Sequence, residues 1–311
     1  MSNKHFLWTW AESLYSSAFP AAVSSTQVSQ TSPEWLAARE GYAVTSSRLA
    51  KIAGHPYASM SRAKLVKEHF GLESAAPIND FTRHLMDYGT AKEAEARSVL
   101  SALLNEEIEE TGLWPHPVFG LQERVLAGSP DGLIVKNNKV YVVEIKVHRP
   151  KPLIAWEPSP LRISYDCVQL MMNMDCTNAS GGYLFYYQPP FTCGKCGLLA
   201  TYNYGSCDRC ADFSEPQLDV VQPSPHLIRV KPNFSMLMSD YYPMAFTYYK
   251  TLTQERESDF LWLPASYSNR FQRALESWLW KTYLDSATSL SYPLIAHGPH
   301  YGQLGCIKIP I

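Results

Sequence analysis

The sequence predicts an α/β fold: a mixed central β-sheet flanked by helices, with a small cysteine-rich insertion. Three observations carry that expectation. Two β-rich runs, Ser129–Val135 and Val140–Lys146, flank the polar turn Lys136-Asn137-Asn138-Lys139, which is the pattern of a hairpin. Helical periodicity brackets them, from Asp80 to Leu104 and from about Ser164 to Cys176. Beyond a further apolar run, Gly182–Tyr187, two Cys-x2-Cys pairs break the pattern at Cys193/Cys196 and Cys207/Cys210.

In chain order, the first ten residues hold one lysine and a short aromatic run, and Glu12 interrupts any signal-peptide core. An amphipathic segment of an intracellular protein, in cytoplasm or nucleus, is expected there. Residues 16–32, rich in Ser, Thr, Ala and Gln, read as a tether, so that 1–31 form an N-terminal extension. Ser32-Pro33 is a helix start, with Ser at the N-cap and Pro at the first helical position. Trp35, Leu36 and Arg39 lie on that short helix, and Val44-Thr45-Ser46-Ser47 enters a second one ending at Gly54. Ala58–Phe70 is a basic amphipathic helix. On the long helix Asp80–Leu104, Phe81, Leu85, Tyr88, Val99 and Leu103 are expected core contacts, and Glu93 and Arg97 are spaced to pair. Pro150, Pro152, Pro158 and Pro160 mark a loop before the next helix, whose Met171, Met172 and Met174 read as core filling. Strand Leu227–Lys231 and helix Phe234–Leu252 close the core. Residues 256–311 form a C-terminal extension with one more helix, Phe271–Tyr283. The core is thus divided into 32–187 and 216–255 around an insertion at 188–215.

With 311 residues, 46% of them hydrophobic, the chain has ample material for a buried core. No apolar run approaches the ~20 residues that cross a bilayer. A net charge of −2 gives no global electrostatic case for a polyanionic partner. Positive charge would have to be gathered locally, at Arg39/Arg48/Lys51, Arg62/Lys64/Lys67 or Lys146/His148/Arg149/Lys151. No GxGxxG, Walker loop or Ser/His/Asp pattern competes for the role of active site.

The hairpin carries the chemistry. Side chains alternate along a strand, so Val142, Glu144 and Lys146 share one face while Val143, Ile145 and Val147 share the other. An acid and a base on an apolar strand are costly to bury unless compensated. A divalent cation would compensate them, with Asp131 arriving from the paired strand. The plainer reading is a surface hairpin bearing a salt pair. Ser46 or Ser47 at a helix start, with Arg39 in reach, likewise suits an anion, or is an ordinary cap beside a surface arginine. Cys193, Cys196, Cys207 and Cys210 offer four thiolates at the spacing of a structural zinc site, with two disulfides or an iron–sulfur cluster as alternatives. Cys167, Cys176 and Cys306 read as ordinary buried thiols.

Asp131, Glu144 and Lys146 reproduce the Asp…Glu-x-Lys signature of the PD-(D/E)xK nucleases, and the surrounding words resemble one branch of them. These are the YqaJ-type viral recombinases, the phage lambda exonuclease-like or alkaline exonuclease family. Arg39 with Thr45-Ser46-Ser47, Gly89-x3-Glu93 with Arg97, Ser129-Pro130-Asp131-Gly132, and Tyr165 followed by Gln169 match it in order, across about residues 32–250. The resemblance implies a restriction-endonuclease-like core and Mg²⁺- or Mn²⁺-dependent hydrolysis of linear double-stranded DNA, with 5′→3′ polarity. Internal cleavage of DNA or RNA, or a non-catalytic nucleic-acid-binding role for the zinc module, are the alternatives. Metal would be held by Asp131, Glu144, the Ile145 carbonyl and Glu93. Lys146, its pKa lowered by partial burial near the metal, would orient or deprotonate water, and Gln169 would position Lys146 or the phosphate. Arg39 and Thr45–Ser47 would hold a 5′ phosphate. The spacing from Arg39 to the last serine is one residue longer than in the phage enzyme, which leaves Thr45 or Ser46 as candidates for that contact. A single-strand annealing protein and a homo-oligomer are the further partners the resemblance brings.

Overall fold

Asn137 and Asn138 both adopt left-handed backbone, φ 52° and 57°. That is the two-residue hairpin turn whose twist matches the flanking strands. The computed structural model describes residues 2–15, 18–58, 62–70, 72, 79–148, 158–189, 202–203, 206–207, 226–254 and 307–308. Its helices and strands, in chain order, are α1 (Asn3–Tyr15), α2 (Pro20–Ser25), α3 (Pro33–Glu40), β1 (Val44–Thr45), α4 (Ser46–Ile52), α5 (Arg62–His69), α6 (Asp80–Leu104), β2 (Trp114–Pro115), β3 (Leu126–Gly128), β4 (Gly132–Lys136), β5 (Lys139–Val147), α7 (Pro160–Thr177), β6 (Gly181–Tyr187), β7 (Tyr202–Asn203), β8 (Ser206–Cys207), β9 (His226–Val230), α8 (Phe234–Met236), α9 (Tyr242–Gln254) and β10 (Ile307–Lys308).

The main sheet runs β10-β9-β6-β5-β4, parallel only between β5 and β6. The α/β expectation holds, and β6 is central. Helix α6 covers the face carrying Val143 and Ile145, through Ala96 and Leu100. Helix α7 covers the other face, with Val168, Leu170, Met171, Met172 and Met174 fully buried in the larger core. Each such side chain contributes about 1.5–3 kcal/mol by leaving water.

Four expectations are corrected. Residues 18–32 are not a tether. The Ser25 hydroxyl donates to the Leu113 carbonyl at 2.8 Å, and the Gln30 amide to Thr111 and Pro130 carbonyls at 3.0 and 2.6 Å. Polar side chains there dock by hydrogen bonds, which apolar periodicity does not register. Second, α7 begins at Pro160, with the Ser159 hydroxyl accepting from the Arg162 N–H, the same Ser-Pro start as Ser32-Pro33. Third, Leu85 and Leu103 of α6 are 38% and 39% exposed. At ~1.5 Å per residue the 25-residue helix is longer than the nine-residue strand it covers, so its ends overhang. Last, 234–254 is helical but passes through a π turn at Leu237–Tyr241, just before Pro243, which has no N–H to give an α-helical ladder.

A second sheet, β1-β3-β2, was not foreseen. Thr45 pairs with Ala127 in parallel, which sets the start of α4 beside the chain that leaves β3 for β4. Cys193, Cys196, Cys210, Cys306, Arg149, Lys151 and the 271–283 helix lie outside the described residues, as does the Phe81 side chain. Cys207 is described only as strand β8, paired with Tyr202. Among the described residues no helix is long and apolar enough to cross a membrane. Ser159→Ala should lower stability by about 1 kcal/mol through loss of the α7 cap, readable as a shift in denaturant midpoint with unchanged slope.

Candidate active site

Ser129-Pro130-Asp131 joins β3 to β4 and is gripped from four directions. The Ser129 N–H donates to Asn173 Oδ1 at 3.0 Å, and Trp35 Nε1 donates to Ser129 Oγ at 3.1 Å. The Pro130 carbonyl accepts from Gln30, and the Asp131 carbonyl from Arg97 Nε at 3.2 Å. Gly128 permits this approach: a Cβ there would lie 2.7 Å from Asn173 Oδ1.

Strand β4 starts at Gly132, opposite Val143, so β5 runs on past its partner. In a strand the N–H and C=O of one residue point to the same side, and alternate residues serve alternate neighbours. Ile145, two beyond Val143, therefore aims both groups at the edge β4 has left. Asp131 Oδ2 accepts its N–H at 2.7 Å. The Ile145 carbonyl faces the same edge.

Glu144 points the other way, under α7, and is fully buried. Its Oε1 accepts from Lys146 Nζ at 2.6 Å and its Oε2 from Asn173 Nδ2 at 3.0 Å. Lys146 Nζ also donates to Gln169 Oε1 at 3.1 Å. Burial and the neighbouring Asp131 push the Glu144 carboxyl up to about 8, against the pull of Lys146. Both of its oxygens accept hydrogen bonds, so the ionised form is the one this geometry serves. Burial likewise raises Asp131, opposed by Lys146, the Ile145 N–H, Arg97 and Arg39. For Lys146 the lowering was expected beside a bound metal, and the protein's own groups act in the opposite sense. Burial does lower it, but Glu144, Asp166 and Asp131 outweigh burial and hold the ammonium above its usual range.

Glu93 stands on the far side of Asp131. Its Oε1 accepts from Arg97 at 2.7 Å, and burial and Asp131 raise its carboxyl to about 7. Asp131 bears on both glutamates. Arg39 donates to Ser47 Oγ at 2.7 Å and stacks over Trp35 at 4.8 Å. Thr45 Oγ1 lies 3.4 Å from Ser47 Oγ, and Thr45 and Ser46 are buried. Burial and Arg48 lower the Arg39 pKa, while Glu144 and Asp131 raise it, so its charge is felt at the carboxylates.

The model of one family, the YqaJ-like viral recombinase domain, matches residues 34–180, which span every one of these groups except Gln30. That span is similar to the family over its whole length. No curated protein matches the chain. Among solved structures it is similar to an alkaline exonuclease from Laribacter hongkongensis, at 22% identity over 72% of this chain and 94% of that one, with a TM-score of 0.45. It is also similar to a phage related exonuclease from Haemophilus somnus 129PT, at 14% identity over 68% and 95%, with a TM-score of 0.43.

Within the YqaJ-like domain, then, Asp131, Glu144, Lys146 and Gln169 come together, Arg39 and Ser47 form an adjoining pair, and Glu93 is held by Arg97. Among the described residues no three His, Cys, Asp or Glu side chains converge as a metal-holding group. The donor chemistry at the β4 edge still fits a hard divalent cation. It comprises the Asp131 carboxylate and the Ile145 carbonyl at that edge and the Glu144 carboxylate on the α7 side, with burial raising both carboxyls and Asp131 raising Glu144 further. Asn173 and Asp166 escaped the sequence reading. Arg162, Asp166, Gln169 and Asn173 follow a 4-3-4 spacing on α7, a polar stripe on a buried helix that would have signalled them.

His55 borders this stripe, bonded to Ser164 at 2.9 Å and almost fully buried, and burial lowers its pKa to about 4. The unfolded chain takes up a proton near pH 6.5 and the folded one only near 4, so stability falls as pH drops through that window. Between pH 7 and pH 5 the loss should be about 2 kcal/mol. Denaturant melts of His55→Gln should lack that share of the pH dependence.

Proposed function

We propose that the protein is a divalent-cation-dependent DNA exonuclease. It degrades one strand of linear duplexes from a 5′-phosphorylated end, in the 5′→3′ direction, in recombination or genome processing of viral type. The observation that carries this reading is the set at the β4 edge: Asp131 and Glu144 beside Lys146, itself fixed by Gln169. The similarity of residues 34–180 to the recombinase family supports it.

Asp131, Glu144 and the Ile145 carbonyl would hold Mg²⁺ or Mn²⁺, and Glu93 would join on release from Arg97. When bound, such an ion lowers the pKa of water and neutralises phosphoryl charge. Lys146 has three N–H donors, of which Glu144 and Gln169 take two. The third is available to a phosphate oxygen or to the attacking water, and an ammonium held charged orients and stabilises rather than removes a proton. Arg39 spends one amine on Ser47, leaving the rest of its fork, with the hydroxyls of Thr45, Ser46 and Ser47, for a terminal phosphate. That phosphate carries more charge than an internal one, which gives an end preference. A single-strand annealing protein would take up the strand that resection exposes, and a homo-oligomer would keep the enzyme on its substrate. Cys193, Cys196, Cys207 and Cys210 would hold a structural zinc.

Digestion of linear and closed circular duplexes in Mg²⁺, with and without 5′ phosphate, tests the reading. Glu144→Gln and Lys146→Ala should each lower the rate at least about a hundredfold with folding intact. Native rates in both would remove the proposed site. Arg39→Ala should lose about ten- to hundredfold of the preference for phosphorylated ends. If circles are cut as fast as phosphorylated linear DNA by the native protein, an endonuclease replaces the exonuclease. Metal analysis of freshly purified, reduced protein should find one zinc per chain. Its absence, or the brown absorbance of an iron–sulfur cluster, would refute the zinc assignment.

A further inference from the structure

One more cluster converges on Lys146, from the first turns of α7 and the segment that follows α4. The Arg162 guanidinium lies 5.3 Å over the Tyr57 ring and donates to the Tyr57 hydroxyl at 3.3 Å. Its Nε is anchored on Asp166 Oδ2 at 2.5 Å, and the buried Asp166 also accepts from the Tyr186 hydroxyl at 2.9 Å. The Tyr165 ring packs 5.5 Å from Tyr57 and, edge-on, 5.4 Å from His55. Tyr165 stands one helical turn before Gln169, the Lys146 partner.

The cluster's outer member is open: Tyr57 is 39% exposed. That exposure remains with the guanidinium over the ring and the Tyr165 ring tilted 50° beside it. Asp166 fixes Arg162, so the stack is preformed rather than assembled on demand. A flat aromatic backed by a fixed cation is poorly suited to an aliphatic partner, which seeks a groove. It suits the π face of a nucleobase, where aromatic and guanidinium surfaces both contribute.

We propose that Tyr57, braced by Arg162 and Tyr165, is a stacking surface for an unpaired nucleobase of the strand whose backbone reaches Lys146. The inference rests on the reading that this site binds nucleic acid, and it adds the ligand class of a neighbouring subsite. A paired base inside a duplex has both faces covered by its neighbours. The base taken here is therefore terminal or unstacked.

Oligonucleotides carrying 2-aminopurine at the first, second or third position from the 5′ end test it, bound to the full chain with Glu144→Gln present to prevent cutting. One position should be quenched several-fold on binding when residue 57 is Tyr or, in Tyr57→Phe, keeps its ring. Tyr57→Ala should abolish that quenching, and so should Tyr57→Leu, which keeps apolar bulk without a π face. An abasic nucleotide at the same position should weaken binding roughly tenfold or more in the ring-bearing proteins, and not in the other two. Equal quenching in all four, or an abasic penalty that persists in Tyr57→Leu, overturns the inference. Hydrolysis by the native protein, measured alongside, separates the two readings. Quenching without hydrolysis sinks the nuclease and keeps the stacking surface, whereas hydrolysis without ring-dependent quenching does the reverse. A protein that neither binds nor cuts DNA overturns both.

Discussion

The hydrogen bond from the Ile145 N–H to Asp131 is the contact on which the rest of the site depends. β5 outruns β4, and a buried N–H left without a partner costs about 1–3 kcal/mol. Asp131 supplies the acceptor from the very residue at which β4 would have continued. The carboxylate is thereby held at the strand edge by a backbone need, whatever else binds there. Its second oxygen and the Ile145 carbonyl are left facing the same edge. The grips on Ser129, Pro130 and the Asp131 carbonyl follow from this, since a loop that must deliver one oxygen to one N–H cannot drift.

Charge is organised around the same residue. Glu144 lies on the α7 face of the sheet, Glu93 is carried by α6 on the opposite face, and Asp131 sits at the edge between them. Three acids, Glu144 fully buried and the other two partly so, would each cost several kcal/mol if left unpaired. Arg97 answers Glu93, Lys146 answers Glu144, and Arg39 adds its field to both Asp131 and Glu144. A bound divalent cation would enter that balance as a competitor of Lys146 for Glu144 Oε1. Gln169 then has a physical role of its own: it keeps Nζ in place when the glutamate oxygen is claimed by something else.

Much of this was legible in the chain. The hairpin, the two faces of β5, the bounds of α6 and the central place of β6 follow from alternation and helical period, because each buries a full apolar face. Gln169 beside Lys146 was carried by motif rather than by pattern. The β1-β3-β2 sheet was not legible, since strands of two or three residues have too few positions to show a period. Residues 18–32 misled because docking there rests on hydroxyls and amides meeting main-chain groups 80 or more residues away. What the protein's own groups do to Lys146 was hidden for a related reason. Of the groups that outweigh burial, Glu144 comes first and lies on the same strand, while the fields of Asp166 and Asp131 come from other elements.

The small sheet also decides which hydroxyl meets Arg39. The sequence left Thr45, Ser46 and Ser47 open as partners of Arg39. Because Thr45 is held opposite Ala127, its register cannot slide, and a one-residue slip would turn every following side chain to the wrong face. Ser46, the next residue, is driven inward and buried. Ser47 comes back to the surface beside Arg39, whose guanidinium is aimed by the Trp35 ring beneath it. Arg39 and Ser47 thus meet because strand pairing sets one end of the contact and aromatic stacking the other.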